Sequence, residues 1–495
     1  MIVQQYENLK TTDSPRKELI AIKQELKDEV VVLEWQKMLQ GNYDIFLKFL
    51  EHEDAKVRKN AALILGKLQA QEAALPLYEA YQKETQRFVK SDYLTALAQL
   101  DYKEFIPELE KRLADLEAYQ PAENEEKHVR EEMTALRKMV SVKKSRKHLV
   151  FQGYQEEYEV ILTTGKVHQE VTSRQIRNGK ILCMKSGVRV KTNDIRELLE
   201  IPTYREMLFL LSIRTLQPKP EQGAEALAQS NLLELLRRAH KTEEKCRFRL
   251  GIHSRMSLEK RGEFAKKLAF ALEKATSYQL ENSTSDYEIE IRLMEKSDGT
   301  FLPLIKFFTL PDKRFQYRKN TIAASIRPEQ AAVIAALAKP YMEQDAQIID
   351  PFCGVGTMLL ERNRVCPARV MYGVDIFGKA ILGARENTEI AGQTAYYTNR
   401  NFFEFTHEYL FDEIITNMPE RGQKSKEEQD TFYGKFFEKA TEILREKGRI
   451  IMYSNEKNFV KKQLRIQKNF TMLQEYNMDE KDRYYLFIVE KRNNE

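Results

Sequence analysis

The stretch from Ile348 to Asp375 constrains the fold more than any other part of the chain. Ile348-Ile349 reads as a short buried strand, and Asp350-Pro351-Phe352-Cys353-Gly354-Val355-Gly356-Thr357 follows it and opens a helix. Val370-Met371-Tyr372-Gly373-Val374 is a second apolar strand, and it ends on Asp375. Two short apolar strands joined through a helix pair in parallel, with the helix covering one face. The alternation continues with a helix from Gly378 to Ala391, a strand at Asp412–Thr416 and another at Arg449–Tyr453. This predicts an α/β, doubly wound, Rossmann-like sheet. Phe470 to Tyr476 and Tyr484 to Glu490 are then close enough to form a closing antiparallel hairpin. On such sheets ligands bind beyond the carboxyl ends of the strands.

The residues at those ends suit a nucleoside cofactor. Gly354 and Gly356 let backbone approach a ligand, and Asp375, 25 residues after Asp350, is placed to accept from both ribose hydroxyls. A Gly-rich turn alone is ordinary strand-to-helix punctuation; the flanking strands and Asp375 give it meaning. The loop has neither the G-x-G-x-x-G of a dinucleotide site nor the Gly-Lys-Ser/Thr of a phosphate cradle. A cofactor with a ribose and no phosphate fits, and S-adenosylmethionine is such a cofactor, with Asp350 near its cationic methionine end. Thr416-Asn417-Met418-Pro419-Glu420-Arg421-Gly422 follows the third strand, where a substrate base would sit. Exocyclic amines are poor nucleophiles because their lone pair is delocalised into the ring. The protein must accept the amine's protons and hold nitrogen in line with the methyl sulfonium. Asn417 and the Met418 carbonyl are candidates for that task; ordinary loop residues are the plainer alternative for the tetrapeptide taken alone.

The first 140 residues read as successive helices. Val57-Arg58-Lys59-Asn60 recurs as Val89-Lys90-Ser91-Asp92 and Val129-Arg130-Glu131-Glu132, at offsets of 32 and 40 residues. This period predicts stacked helix pairs of the HEAT or armadillo kind, with an unrepeated helical bundle as the alternative, and a scaffolding or docking role in either case. Residues 141–320 mix strands and helices, including Tyr158–Thr164, Val188–Val190, Phe248–Ile252 and Tyr287–Leu293. The expected domains are therefore 1–140, 141–320 and 321–495.

The net charge of +5 conceals an uneven distribution. Residues 1–140 carry 21 basic and 26 acidic side chains, residues 141–320 carry 34 and 23, and residues 321–495 carry 25 and 26. The basic excess of the middle part includes the run Lys143-Lys144-Ser145-Arg146-Lys147-His148, then Arg255, Lys260, Arg261, Lys266 and Lys267, and Lys313, Arg314, Arg318 and Lys319. Any one such run reads as a solvated face; together they point to a phosphate-backbone footprint. The longest apolar run, Ala331 to Ala338, is too short to span a bilayer. The N-terminus shows no export signal. The scattered Cys183, Cys246, Cys353 and Cys366 fit neither a zinc site nor a disulfide framework, so no metal is expected and a reducing cytoplasm suits the chain.

These motifs resemble class I S-adenosylmethionine-dependent methyltransferases. Asp350–Thr357, Gly373-Val374-Asp375-Ile376 and Gly383-Ala384-Arg385-Glu386-Asn387 look like the THUMP-containing RNA methyltransferases that make N2-methylguanosine in transfer or ribosomal RNA. Tyr317-Arg318-Lys319 and Ala324-Ser325-Ile326-Arg327-Pro328-Glu329 resemble that family's bridge into the catalytic domain, and residues 150 to 310 are more loosely similar to its ferredoxin-like plus THUMP module, which grips RNA. The resemblance implies a seven-stranded catalytic sheet. It implies cofactor contacts from Asp350, Phe352, Gly354, Gly356, Thr357, Asp375, Ile376 and Asn401, catalytic roles for Asn417, Met418 and Pro419, and substrate contacts from Glu420, Arg318 and Arg327. Glu420 departs from the pattern, standing where the family has an aromatic that stacks on the base, a loss of roughly 1 to 3 kcal/mol. Met418 replaces the motif's middle residue, and Asn401 stands where an acid is usual. Phe402, Phe432 or Tyr433 are candidates to replace the missing aromatic, or Glu420 itself accepts a hydrogen bond from guanine.

The expectation is an RNA guanine-N2 methyltransferase acting by direct transfer, with tRNA or rRNA as partner, no membrane, and a protein partner on the N-terminal helices. The alternatives are an RNA-binding or assembly factor that retains the cofactor site, or an amino-methyltransferase of protein glutamine or DNA adenine.

Overall fold

The computed structural model describes every residue except 1, 13, 120, 123, 142–147, 480, 482 and 494–495. Lys143 to Lys147 of the basic run lie outside the described residues. The chain forms two compact units, Met1–His148 with Phe270–Leu280, and Leu149–Ala269 with Glu281–Glu495. Residues on either side of 320 share one unit, and 270–280 joins the N-terminal helices. The reason for the latter is burial, since Tyr278 belongs to the helical core and Glu273 accepts from Arg137 at 2.5 Å.

In the first unit Val57, Val89 and Val129 are each buried, in helices Ala55–Lys67, Arg87–Leu97 and Glu126–Ser141. The three helices pack in succession, so the tetrapeptide recurrence marks equivalent inner helices. The fourth position of each tetrapeptide is a polar tie: Asn60 accepts from Lys23 at 2.6 Å, Asp92 pairs with Lys59 at 2.9 Å, and buried Glu132 accepts from Tyr81 at 2.7 Å and Arg112 at 2.9 Å. Gly66 permits the close approach of neighbouring helices, because a Cβ there would lie 2.7 Å from the Ala96 Cα.

The middle of the chain builds one eight-stranded sheet from β1 (Tyr158–Thr163), β2 (Lys180–Met184), β3 (Gly187–Thr192), β4 (Met207–Leu210), β5 (Cys246–His253), β6 (Leu280–Asn282), β7 (Ile289–Glu295) and β8 (Phe301–Phe307), in the order β2-β3-β1-β4-β8-β7-β5-β6. Period-two burial fixes the register of β7, with Ile289, Ile291 and Leu293 fully buried. Much of the basic excess is consumed inside this sheet. Arg247 pairs with Glu288, Arg249 with Glu290, and Arg292 with both Glu290 and Glu206. Arg314, counted above toward a phosphate footprint, is 8% exposed. It donates to the carbonyls of Ile201, Tyr204 and Arg205, pairs with Asp312 and lies 3.7 Å from the Tyr204 ring centroid. Arg255, Lys260, Lys266, Lys267, Lys313 and Lys319 remain exposed.

The last part forms a seven-stranded sheet of β9 (Gln347–Asp350), β10 (Val370–Asp375), β11 (Tyr396–Asn399), β12 (Phe411–Asn417), β13 (Leu444–Ser454), β14 (Phe470–Asn477) and β15 (Tyr485–Lys491). Their order is β11-β10-β9-β12-β13-β15-β14, with the first five parallel and β15 antiparallel to both its neighbours. The expected hairpin is present, and its second strand is the inner one. Strict alternation divides the core. Ile348, Ile415, Ile451, Leu486 and Ile488 face helices Pro328–Ala338, Thr357–Val365 and Gly378–Ile390. Ile349, Ile414, Ile450, Met452, Phe487 and Val489 face helices Lys426–Ile443 and Lys457–Ile466. Arg362 and Glu413, both fully or nearly fully buried, make a two-point ion pair at 2.9 Å beneath the sheet. No helix among the described residues is long and apolar enough to cross a membrane.

Candidate active site

The loop after β9 turns sharply, with Gly354 at φ +50° and Gly356 at φ +84°. Both values lie in the left-handed region where other residues are strained. Gly356 also has no room for a side chain, since a Cβ would lie 2.5 Å from the Tyr397 hydroxyl. In front of Gly354 the space is open, with only Ile322 Cδ1 near, at 3.8 Å. The Thr357 hydroxyl begins the following helix, buried and without a hydrogen-bond partner among the described residues.

Asp375 ends β10 and fastens the loop. One carboxylate oxygen accepts from the Gly354 N–H and the other from the Phe377 N–H, both at 2.9 Å. Ile376 and Phe377 beside it are 61% and 63% exposed, an apolar shelf next to a carboxylate. Asp350 is buried, and its Oδ1 accepts from the Thr416 hydroxyl at 2.8 Å and the Phe352 N–H at 3.1 Å. Burial pushes its carboxyl up to about 7, with those two hydrogen bonds acting in the opposite sense. Phe352 is half-buried against Phe402 and Phe432. Asn401 caps a short turn, its oxygen accepting from Phe403 N–H and its NH₂ donating to Glu404, both at 3.2 Å.

Asn417 ends β12, opposite Tyr453 of β13. Its half-buried side chain makes no hydrogen bond to the described residues. Met418 is buried, with its N–H donating to the Tyr453 carbonyl at 2.9 Å, and the Pro419 carbonyl receives Gln429 at 3.5 Å. Glu420 is exposed and accepts from the Tyr484 hydroxyl at 2.6 Å, which pushes that phenol up to about 12. Arg318 donates to the Ile326 carbonyl at 2.9 Å, and Arg327 is exposed with its Nε 3.4 Å from Glu329. Of the aromatics considered as replacements at 420, Phe402 and Tyr433 are buried, and Tyr433 is bonded to Ser454.

Two residues hold this arrangement together: Asn387, quoted above only within a motif and without a role, and Tyr397, not named there. Asn387, fully buried, donates to the carbonyls of Asn320 and Val355 and accepts from the Asn320 N–H, linking the loop after β9 to the segment that precedes helix Pro328–Ala338. Its spacing after Gly383 places it on the helix face of small residues, and a polar side chain on that face was the available signal. Asn387→Ala should lower stability by about 2–4 kcal/mol, because three backbone groups, one buried and two half-buried, lose their partner, as read by urea unfolding. Tyr397 fills the gap beside Gly356 and Gly373, and its hydroxyl is hydrogen-bonded to that of Thr388 at 2.7 Å.

Comparison with known proteins agrees with this geometry. Residues 316–485 match a family model described as UPF0020, RMKL-like, methyltransferase domain. The last third of the chain is therefore similar to a methyltransferase domain. Residues 43–120 match HEAT repeats, within the stacked helices. Among solved structures, TrmN from Thermus thermophilus is similar with a TM-score of 0.52 at 18% identity, covering 68% of this chain and 99% of its own. SMU.472, solved in complex with SAH, gives 0.53 at 14% identity over 69% and 99%. A predicted N6-adenine-specific DNA methylase from Listeria monocytogenes gives 0.51 at 11% identity over 68% and 97%. At these identities the likeness is one of fold, and it extends well beyond the residues of the methyltransferase match. A search among curated proteins gives no match. Among the described residues no cluster of His, Cys, Asp or Glu has the makings of a metal site.

Proposed function

We propose that this chain methylates the exocyclic N2 of a guanosine in tRNA or rRNA. The observation that carries the reading is Asn417, an unengaged amide at the carboxyl end of β12. It lies one strand from the loop that Asp375 fastens, since β9 separates β12 from β10.

The residues around that loop fit the cofactor. The open face of Gly354 admits it, the orphaned Thr357 hydroxyl has a hydrogen bond to give, and the Ile376–Phe377 shelf suits a purine. Asp375 keeps unused lone pairs for two ribose hydroxyls, and Asp350 offers a negative charge to a cationic end. Phe352 and Asn401 border the site. The bound cofactor supplies a methyl group on a sulfonium, already a good leaving group, so no covalent enzyme intermediate is required. Asn417 and the Met418 carbonyl accept the amine's hydrogens and orient its nitrogen, with Pro419 stiffening the turn. The middle part of the chain, which we read as the ferredoxin-like and THUMP-like module, holds phosphate through the lysines that remain exposed, and Arg327 extends that surface toward the site. The N-terminal repeats serve a protein partner.

Incubating the full chain with methyl-labelled cofactor and total RNA, DNA or protein from a strain lacking the gene tests the reading. Label in RNA, recovered as N2-methylguanosine, is the expected result. Label only in DNA adenine or protein glutamine, or no label anywhere from a chain that binds cofactor by calorimetry, overturns it.

A further inference from the structure

Where Glu420 stands, a stacking ring would be needed for a base, and the structure shows where rings lie instead. Asn417 and Tyr453 are register partners on parallel β12 and β13, so their side chains leave the sheet on the same face. Tyr453 in turn opposes Leu486 of β15, and Tyr484, two residues before Leu486, shares that parity. The Tyr453 and Tyr484 rings accordingly meet, stacked with centroids 5.3 Å apart and planes within 10°. Both are half-buried. The connection between β14 and β15 closes through Met478 N–H to the Tyr484 carbonyl at 2.8 Å, and Glu420 holds the Tyr484 hydroxyl at 2.6 Å. The competing ring, Phe432, packs against the core cluster that contains Met418, which departs the strand on the opposite face from Asn417.

We propose that the Tyr453–Tyr484 pair is the stacking platform for the substrate base, and that Glu420 is the positioning residue that holds Tyr484 in it. The inference rests on reading the site as one that receives a nucleobase, and it gives the Glu420 departure a role: the aromatic face is supplied from the β14–β15 connection and the carboxylate fixes it. Stacking on a tyrosine pair tolerates any base, leaving discrimination among bases to Asn417 and its neighbours.

The test uses the full chain with SAH and a short single-stranded RNA oligomer carrying one 2-aminopurine, whose fluorescence falls on stacking. Wild type should quench the probe. Tyr453→Leu and Tyr484→Leu should each lose most of the quenching and weaken binding about tenfold, with SAH affinity by calorimetry unchanged to show an intact fold. Tyr484→Phe, which keeps the ring, should keep the quenching. Glu420→Ala should raise the KM for RNA far more than it lowers kcat, and Glu420→Gln, which keeps an acceptor, should restore it. Quenching that survives in the Tyr453→Leu/Tyr484→Leu double variant, or that is lost in Phe432→Leu alone, overturns the platform, as does wild type that binds the oligomer without quenching. Label transfer into RNA is scored separately. A quenching protein that transfers no label overturns the methylation reading and leaves the platform standing.

Discussion

Asn417→Ala is expected to lower kcat for methyl transfer into RNA by roughly 10²–10³-fold, the usual cost of removing one preorganised polar group from a reaction centre. Cofactor affinity should not change, because Asn417 takes no part in the loop held by Asp375, Cys353 and Gly354. The fold should not change either, since the side chain has no hydrogen bond among the described residues to lose. Asn417→Asp retains an acceptor and should recover part of the rate. Single-turnover kinetics with cofactor calorimetry decide the matter. An alanine variant with near-normal kcat would remove Asn417 from the chemistry, and one that no longer binds cofactor would assign it to the loop.

The second large effect is a pH dependence centred on Asp350. Its carboxyl is raised from an ordinary 3.8 to about 7, chiefly by burial. The folded, cofactor-free protein therefore holds a proton that the unfolded chain has released, and stability falls as pH rises between about 4 and 7, levelling above. Asp350→Asn should flatten that slope and be the more stable protein at pH 8. A cationic ligand favours the ionised carboxylate, so cofactor binding to wild type should tighten by up to about tenfold per pH unit below 7 and plateau above it. Calorimetry at pH 6, 7 and 8 reads this directly. Equal affinity at pH 6 and pH 8 would show that Asp350 does not face the positive end of the cofactor.

Much of the methyltransferase-like domain was legible in its sequence, because parallel strands buried on both faces leave short apolar runs separated by helix-length segments. The Val57, Val89 and Val129 recurrence was legible for a similar reason: each repeat must bury the same corner. Counting charge misled at Arg314. Arg314 contributes one unit to any count, and nothing local reveals that it is folded beneath Tyr204 and bonded to three carbonyls. Phe402 and Tyr433 were equally plausible stacking rings on paper; burial, a property of the assembled sheet, removes both. The neighbourhood of Tyr453 and Tyr484, 31 positions apart in the chain, depends on β15 entering the sheet inside β14, and no pattern within either strand encodes that order.

That order has a consequence for how the domain is made. β14 is synthesised before β15 and yet has no other partner in the sheet, while β13 waits with one edge unpaired for the same strand. Until residues 485–491 have emerged, a nascent chain that already carries finished helical repeats displays two apolar strand edges. Such edges recruit one another between molecules. Overexpression should therefore be limited by aggregation of incompletely translated chains, and nonsense or truncating changes between 478 and 484 should yield insoluble protein.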